Sequence, residues 1–306
     1  MTVDVAQVEG IKQRMEAFIR QLQDEICTAL ERLDGQGRFR EDRWERPGGG
    51  GGHSRVLEEG AVLEKAGVNT SVVFGELGEA FAKRLPGDGQ QFWAGGLSLV
   101  LHPRNPHVPT VHANYRFIHQ GNKAWFGGGA DLTPYYLYEE DAVHFHRTVK
   151  AACDKHDPSY YPHFKATCDK YFHLRHREES RGVGGIFFDN LGGDLEKQLQ
   201  FVMEMGRAFL PSYLPIAERR KDTAYTEEQR LWQEVRRGRY VEFNLVYDKG
   251  THFGLETNGR IESILMSLPP RVRWRYDYHP VAGSWESRLV DVLRNPRDWA
   301  SGGQGA

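Results

Sequence analysis

The stretch from residue 240 to residue 268 constrains the fold most. It holds three short runs rich in aromatic and branched side chains, 240–247, 252–257 and 261–268. Only Asp248-Lys249-Gly250 and Asn258-Gly259 separate them, and both are hairpin signals. Strands joined so closely cannot run parallel, because a parallel crossover takes about a dozen residues. The spacing predicts an antiparallel meander, with Glu242 and Asn244 on one strand face. Helix-like segments occupy much of the remaining chain, so the expected class is α+β around an antiparallel sheet.

Ile11, Met15, Phe18, Ile19, Leu22, Ile26 and Leu30 recur at steps of three and four, which predicts an amphipathic helix over 4–33. Residues 139–153, 161–179 and 194–209 also read as helices, the last with Asp194 as its N-cap. Residues 97–101 and 110–117 read as strands, broken by Pro103, Pro106 and Pro109. The Gly-rich loop 47–52 reads by composition as a linker, or else as a flap that closes on a ligand. One domain covering 1–306 is expected, since a chain of this size buries about 75% of its unfolded surface without staples.

Forty basic against forty-two acidic residues give a net charge of −2, which argues against nucleic-acid partners. Three cysteines without a C-x-x-C pair suit a reducing compartment. No apolar run approaches the ~18 residues of a membrane span. Acidic residues come early, and no basic-then-apolar leader is present. A cytoplasmic enzyme is the expectation.

Ten of the thirteen histidines lie between His102 and His176. Strand alternation puts His112, Asn114 and Arg116 on one face and Ala113, Tyr115 and Phe117 on the other. His, Asn and Arg pack poorly but make a good cleft wall. His173 and His176, three apart, share a face if their segment is helical. Imidazoles from several elements could ligate a divalent ion; neutral histidines that bond or shuttle protons are the stronger alternative. Gly127-Gly128-Gly129 lets a backbone approach a ligand, and Asp131 follows at once. That run is no phosphate loop and no dinucleotide fingerprint; Arg181 to Gly185 also fails the fingerprint. Ser98 stands in no nucleophile elbow. Arg239, Arg260, Arg271 and Arg273 could grip a ligand bearing several carboxylates.

At these residues the chain resembles the oxygen-dependent coproporphyrinogen III oxidases. The likeness runs from Pro47 through the glycine run, Phe126-Gly127-Gly128-Gly129, Asp131-Leu132-Thr133-Pro134 and Gly184-Gly185-Ile186-Phe187-Phe188-Asp189. It continues through Arg237-Gly238-Arg239-Tyr240-Val241-Glu242-Phe243-Asn244-Leu245 and Glu262-Ser263-Ile264-Leu265-Met266-Ser267-Leu268-Pro269 to about Trp299. The resemblance implies a single domain, a large antiparallel sheet flanked by helices on both sides, and a homodimer joined through about 238–273. The implied reaction is oxidative decarboxylation of two propionates of coproporphyrinogen III to vinyl groups. It consumes dioxygen, releases carbon dioxide and peroxide, and requires no cofactor.

The same resemblance implies roles for particular residues. His112, Asp131 and Asp248 would be catalytic, with His112 as proton donor. Ser98, Asn114, Tyr115, Arg116, Asn258, Gly259 and Arg260 would contact substrate. His102, His112, His146 and His176 would be the ligands of a divalent metal such as manganese, if one is used. Two positions depart from the common pattern: Lys249 stands where arginine is usual, and Asn190 replaces the second of two aspartates. A non-catalytic tetrapyrrole carrier and a histidine-metal oxygenase are the competing readings.

Overall fold

The computed structural model describes residues 4–256 and 259–303. The chain opens with α1 (Val5–Asp34), capped by Asp4, whose side chain accepts from the Ala6 amide at 2.9 Å. Its predicted stripe is buried, from Ile11 to Leu30. Each aliphatic side chain so buried contributes about 1.5–3 kcal/mol. The strands β1 (Arg40–Glu45), β2 (Gly50–Glu58) and β3 (Leu63–Glu76) follow, then the short α2 (Glu79–Ala82). Next come β4 (Gln91–Pro103), β5 (Thr110–Gln120) and β6 (Lys123–Thr133), then α3 (Glu139–Asp154) and α4 (Tyr160–Tyr171). The two-residue strands β7 (His173–Leu174) and β8 (Glu179–Ser180) lead to β9 (Gly184–Leu191) and α5 (Leu195–Arg220). The chain continues through α6 (Glu227–Val246), α7 (Lys249–Glu256), α8 (Ile261–Leu265) and α9 (Trp285–Arg294).

A seven-stranded antiparallel sheet in the order β1-β2-β3-β4-β5-β6-β9 organises the molecule. Leu97, Leu99, Ala113, Tyr115, Phe117, Phe126 and Ala130 point to one face and merge with α1, α3 and α5 into the main core. The opposite face is only partly covered, chiefly by the α6–α8 segment. The α+β class and the antiparallel sheet are as expected.

The meander is not. Residues 240–268 form helices where described, and the second hairpin signal falls partly outside the described residues, at Asn258. A capping box between Thr226 and Gln229 starts α6 well upstream, and the helix runs on through the Tyr-Val-Glu-Phe-Asn sequence. Burial of Trp232, Val235, Tyr240 and Phe243 outweighs the strand preference of that run. Asp248 caps α7 instead of turning a hairpin, since the same side-chain chemistry serves both. Glu242 and Asn244, two apart on a helix, therefore point in different directions.

Two further expectations fail. The 161–179 helix ends at Tyr171, so His173 and His176 share no helix face. The glycine run is no bare linker: 48–49 turn the β1–β2 hairpin and 50–52 belong to β2. Gly50 has φ 79°, and a Cβ there would lie 2.1 Å from the Val72 carbonyl oxygen. Only glycine fits.

Candidate active site

Strand register sets a polar floor on the less covered face. Ser54, Asn69, Ser98 and Asn114 stand in one row across β2 to β5, which continues to Gly129 of β6. The row on one side is Gly52, Ser71, Gly96, Arg116 and Gly127. On the other side it is Val56, Gly67, Val100, His112, Asp131 and Gly185. Glycines between polar side chains keep this face low, so a ligand can approach the backbone. The C-terminal helices roof one end. Ser263 Oγ lies 2.7 Å from Ser54 Oγ, and a Cβ at Gly67 would come within 2.8 Å of the Met266 sulfur.

Across the sheet from there, His112 Nδ1 of β5 is 2.8 Å from Asp131 Oδ1 of β6. Arg181 Nη2 donates to both oxygens of Asp131, at 3.0 and 2.8 Å, while Nη1 donates to Asn244 Oδ1 at 2.9 Å. The guanidinium is held among Phe172, Tyr240 and Phe243, 4.1, 4.4 and 4.9 Å from the ring centres. Burial alone would raise the Asp131 pKa, but the Arg181 charge and the His112 bond hold it below the usual carboxylate range. Burial also works against the Arg181 charge, and the facing Asp131 outweighs it. Asp131 is thus an anion in a nearly dry setting, with a histidine still one-fifth exposed. Among the described residues His112 Nε2 has no hydrogen-bond partner, so it is the nitrogen left for chemistry.

Arg116 lies flat across Gly127, where a Cβ would be 2.7 Å from its Nε and Nη2. Its Nη1 donates to Asn114 Oδ1 and its Nη2 to Asp189 Oδ1, each at 2.9 Å. A register shift between β6 and β9 places Asp189 there, followed by Asn190 at φ 54°. Asparagine tolerates that left-handed conformation better than most residues.

The remaining sequence candidates divide. Ser98 and Asn114 share the floor. Tyr115 does not: its side chain is buried in the opposite core, donating to the Met205 carbonyl at 3.0 Å. Alternation along β5 already separated it from Arg116. Asp248 has both oxygens committed, one to the Tyr171 hydroxyl at 2.9 Å and the other to Thr251 N and Oγ1 at 2.8 and 2.9 Å. Arg260 pairs with Asp42 of β1, whose register partner is Ser54, at the far edge of the floor. Gly259 donates its amide to the Gly254 carbonyl at 2.8 Å, and Asn258 lies outside the described residues. Arg239, Arg271 and Arg273 sit against Glu242, Glu64 and Glu234, so of the four arginines only Arg260 borders the floor.

The expected metal set does not assemble. His102 is bonded through Nδ1 to Thr110 Oγ1 and through Nε2 to the Ser267 carbonyl, at 3.2 and 2.8 Å. His146 bonds the Tyr161 hydroxyl and the Val183 carbonyl at 2.9 and 3.1 Å, and burial pushes its pKa down to about 3. His176 meets Tyr247 Oη and Glu242 Oε2 at 2.8 and 2.7 Å. Among the described residues no group of three or more His, Cys, Asp or Glu side chains is placed to hold a metal ion. Three of the four histidines would have to break two bonds each to ligate one.

Arg181, Asn69 and Asp42 also line the candidate site yet carried no usable signal, and Asp189 stood only at the end of a motif without a role. Arg181 stood beside a strand as part of a glycine pattern that fitted no fingerprint, and nothing local pointed it at Asp131. A cavity of about 900 Å³ opens at the β1–β3 edge, lined by Trp44, Gly51, Gly52 and Thr70, and lacks the His112 pair. Chemistry, not volume, locates the site.

An antiparallel α+β fold whose open face combines a buried Arg–Asp–His chain with arginines at its rim has the parts of an enzyme site for a carboxylate-bearing ligand. Comparison with known proteins makes this specific. The family model for coproporphyrinogen III oxidase matches residues 14–299, and the chain belongs to that family. It is 53% identical over 315 residues to the soybean (Glycine max) oxygen-dependent coproporphyrinogen-III oxidase, chloroplastic, covering 97% of this chain and 82% of the relative. The Drosophila melanogaster oxygen-dependent coproporphyrinogen-III oxidase is 53% identical over 307 residues, 95% of this chain and 79% of the relative. Coproporphyrinogen-III oxidase 1, chloroplastic, of Arabidopsis thaliana is 51% identical over 95% of this chain and 80% of its own length.

Proposed function

We propose that this protein is an oxygen-dependent coproporphyrinogen oxidase of haem biosynthesis. It converts two propionates of coproporphyrinogen III to vinyl groups. For each, R–CH2–CH2–COOH and O2 give R–CH=CH2, CO2 and H2O2. A C–H bond on the carbon next to the pyrrole ring breaks and its electron pair reduces dioxygen, which takes up that proton and the carboxyl proton; the bond to the carboxyl carbon breaks and its electron pair becomes the new double bond. A porphyrinogen that has lost a pyrrole proton is electron-rich enough to meet dioxygen without a redox cofactor.

The observation that carries the reading is the Arg181–Asp131–His112 chain ending at a glycine-rich floor. Asp131, kept anionic by Arg181, accepts from His112 Nδ1 and turns Nε2 toward the ligand as a proton acceptor. The imidazolium so formed is stabilised by Asp131 and returns the proton later. Arg116 and Arg260 receive substrate carboxylates at the two ends of the floor; β1 and β5 are about 19 Å apart, four strand spacings. Anaerobic incubation with coproporphyrinogen III followed by admission of oxygen tests this. The expected product has lost two formic-acid equivalents of mass with two peroxides released. Binding without oxygen uptake would leave a tetrapyrrole carrier.

Dioxygen is the only co-substrate in this reading, and the bonded state of His102, His146 and His176 supports it. Exhaustively demetallated protein should keep most of its turnover. A loss that manganese restores would reinstate the histidine set.

The working form is a homodimer in the cytoplasm, where buried, unpaired Cys27, Cys153 and Cys168 suit reducing conditions. Leu245, Val246, Ile261 and Trp274 are 44–57% exposed along the C-terminal helices and the coil beyond, an apolar face for a second copy. A monomer by light scattering at micromolar concentration would reject it. The chloroplastic names belong to plant relatives, and no helix among the described residues is long and apolar enough to cross a membrane.

A further inference from the structure

Each rim arginine of the floor is already held by an aspartate. Arg116 is paired with Asp189 and Arg260 with Asp42. The two pairs come from unrelated elements at opposite edges of the sheet. We propose that Asp189 and Asp42 are internal counter-ions that the substrate's carboxylates displace, so that binding at each end is an exchange of one carboxylate for another. The inference rests on the reading above that Arg116 and Arg260 receive those carboxylates.

Burial separates these pairs from the others in the site. The side chains of Arg116 and Asp189 are 29% and 35% exposed, and those of Arg260 and Asp42 36% and 32%. Ion pairs this wet are weak, and a multiply charged ligand can replace one partner. Arg181 and Asp131, at 2% each, cannot exchange. Valency also remains. Arg116 donates once from each terminal nitrogen, to Asn114 and Asp189, and a guanidinium carries five N–H donors. Arg260 Nε is buried without a hydrogen-bond partner among the described residues, a donor that a bound carboxylate would satisfy.

The exchange has a consequence for selectivity. A neutral side chain cannot offset the pair it disrupts, so ligands lacking a carboxylate are rejected at both ends. A carboxylate that leaves as carbon dioxide hands its arginine back to the aspartate.

The test is calorimetric titration of the full-length protein with the oxidised, non-reacting tetracarboxylate porphyrin at fixed ionic strength, alongside steady-state kinetics. Asp189→Asn and Asp42→Asn should each tighten binding by about 3-fold, and the double variant by the product of the two. KM should fall by the same factor. Asp222→Asn, the same charge change at an exposed position off the sheet, controls for overall charge and should leave binding unchanged. In an Arg116→Ala background, Asp189→Asn should have no effect. Equal or weaker binding by the Asp189 and Asp42 variants overturns the inference while leaving the oxidase reading intact. Wild-type protein that fails to bind the tetracarboxylate overturns both.

Discussion

Two regions of this molecule hold the same three side-chain types and use them differently. On the floor stand Asp131, His112 and Arg181. Outside it, at the start of the C-terminal roof, stand Glu242, His176 and Arg177. Arg177 grips Glu242 through Nε and Nη2 at 2.9 and 2.7 Å, with Arg239 and Trp274 adding donors at 3.2 and 2.9 Å. His176 spends both nitrogens, on Glu242 and Tyr247. That centre is a clamp fixing α6 to the turn between β7 and β8. In the floor centre the arginine and carboxylate are dry, and the histidine keeps one nitrogen uncommitted. Chemical identity does not separate the two centres; the nitrogen that His112 keeps uncommitted beside a buried charge does, and the proposed function makes that centre the reactive one.

The sharpest break in the comparison is His112→Gln against His176→Gln. Removing a general acid–base group costs about 10²–10⁴ in turnover. His112→Gln should therefore lose that much kcat, whereas His176→Gln should stay within a few-fold of wild type in the same initial-rate assay. Equal losses would end the distinction. Asp131→Asn comes next. It leaves Arg181 buried without its counter-charge, so unfolding by denaturant should show a loss of about 3–5 kcal/mol.

The clamp should declare itself in acid. Burial works to raise the Glu242 pKa, but bonds from Arg177 and His176 pull it down to about 2. Because the folded value is depressed, its stabilisation is present above the unfolded pKa of about 4.3 and lost as pH falls toward 2. Urea midpoints should show stability falling across that window, by about 1–2 kcal/mol once solvent screening of the exposed His176 and Arg177 is counted, and Glu242→Gln should flatten the slope. An unchanged slope would mean that the clamp stores no charge energy. The smallest effect belongs to Gly127→Ala. The nearest atoms its Cβ would meet belong to the Arg116 guanidinium, a side-chain end that can shift, so KM should rise by a few-fold with kcat and melting temperature nearly unchanged. A fall in kcat alone would place Arg116 closer to the reacting centre.

What was legible in the sequence was whatever a local period or cap encodes. The stripe from Ile11 to Leu30 became α1, Asp194 capped α5, and alternation along 110–117 put His112, Asn114 and Arg116 on one face with Tyr115 on the other. The family was legible too, because long motifs survive as strings. Three things needed the tertiary structure. Packing against Trp232, Val235 and Tyr240 turned an apparent meander into helices, since strand and helix preferences of a short aromatic run differ by less than its burial is worth. Register, a property of strand pairs, set Asp131 beside His112 and lined up Ser54, Asn69, Ser98 and Asn114. Chain reversal through β8 delivered Arg181 to Asp131 from fifty positions away. The same long-range placement kept His102, His146 and His176 apart, each bonded where it stands.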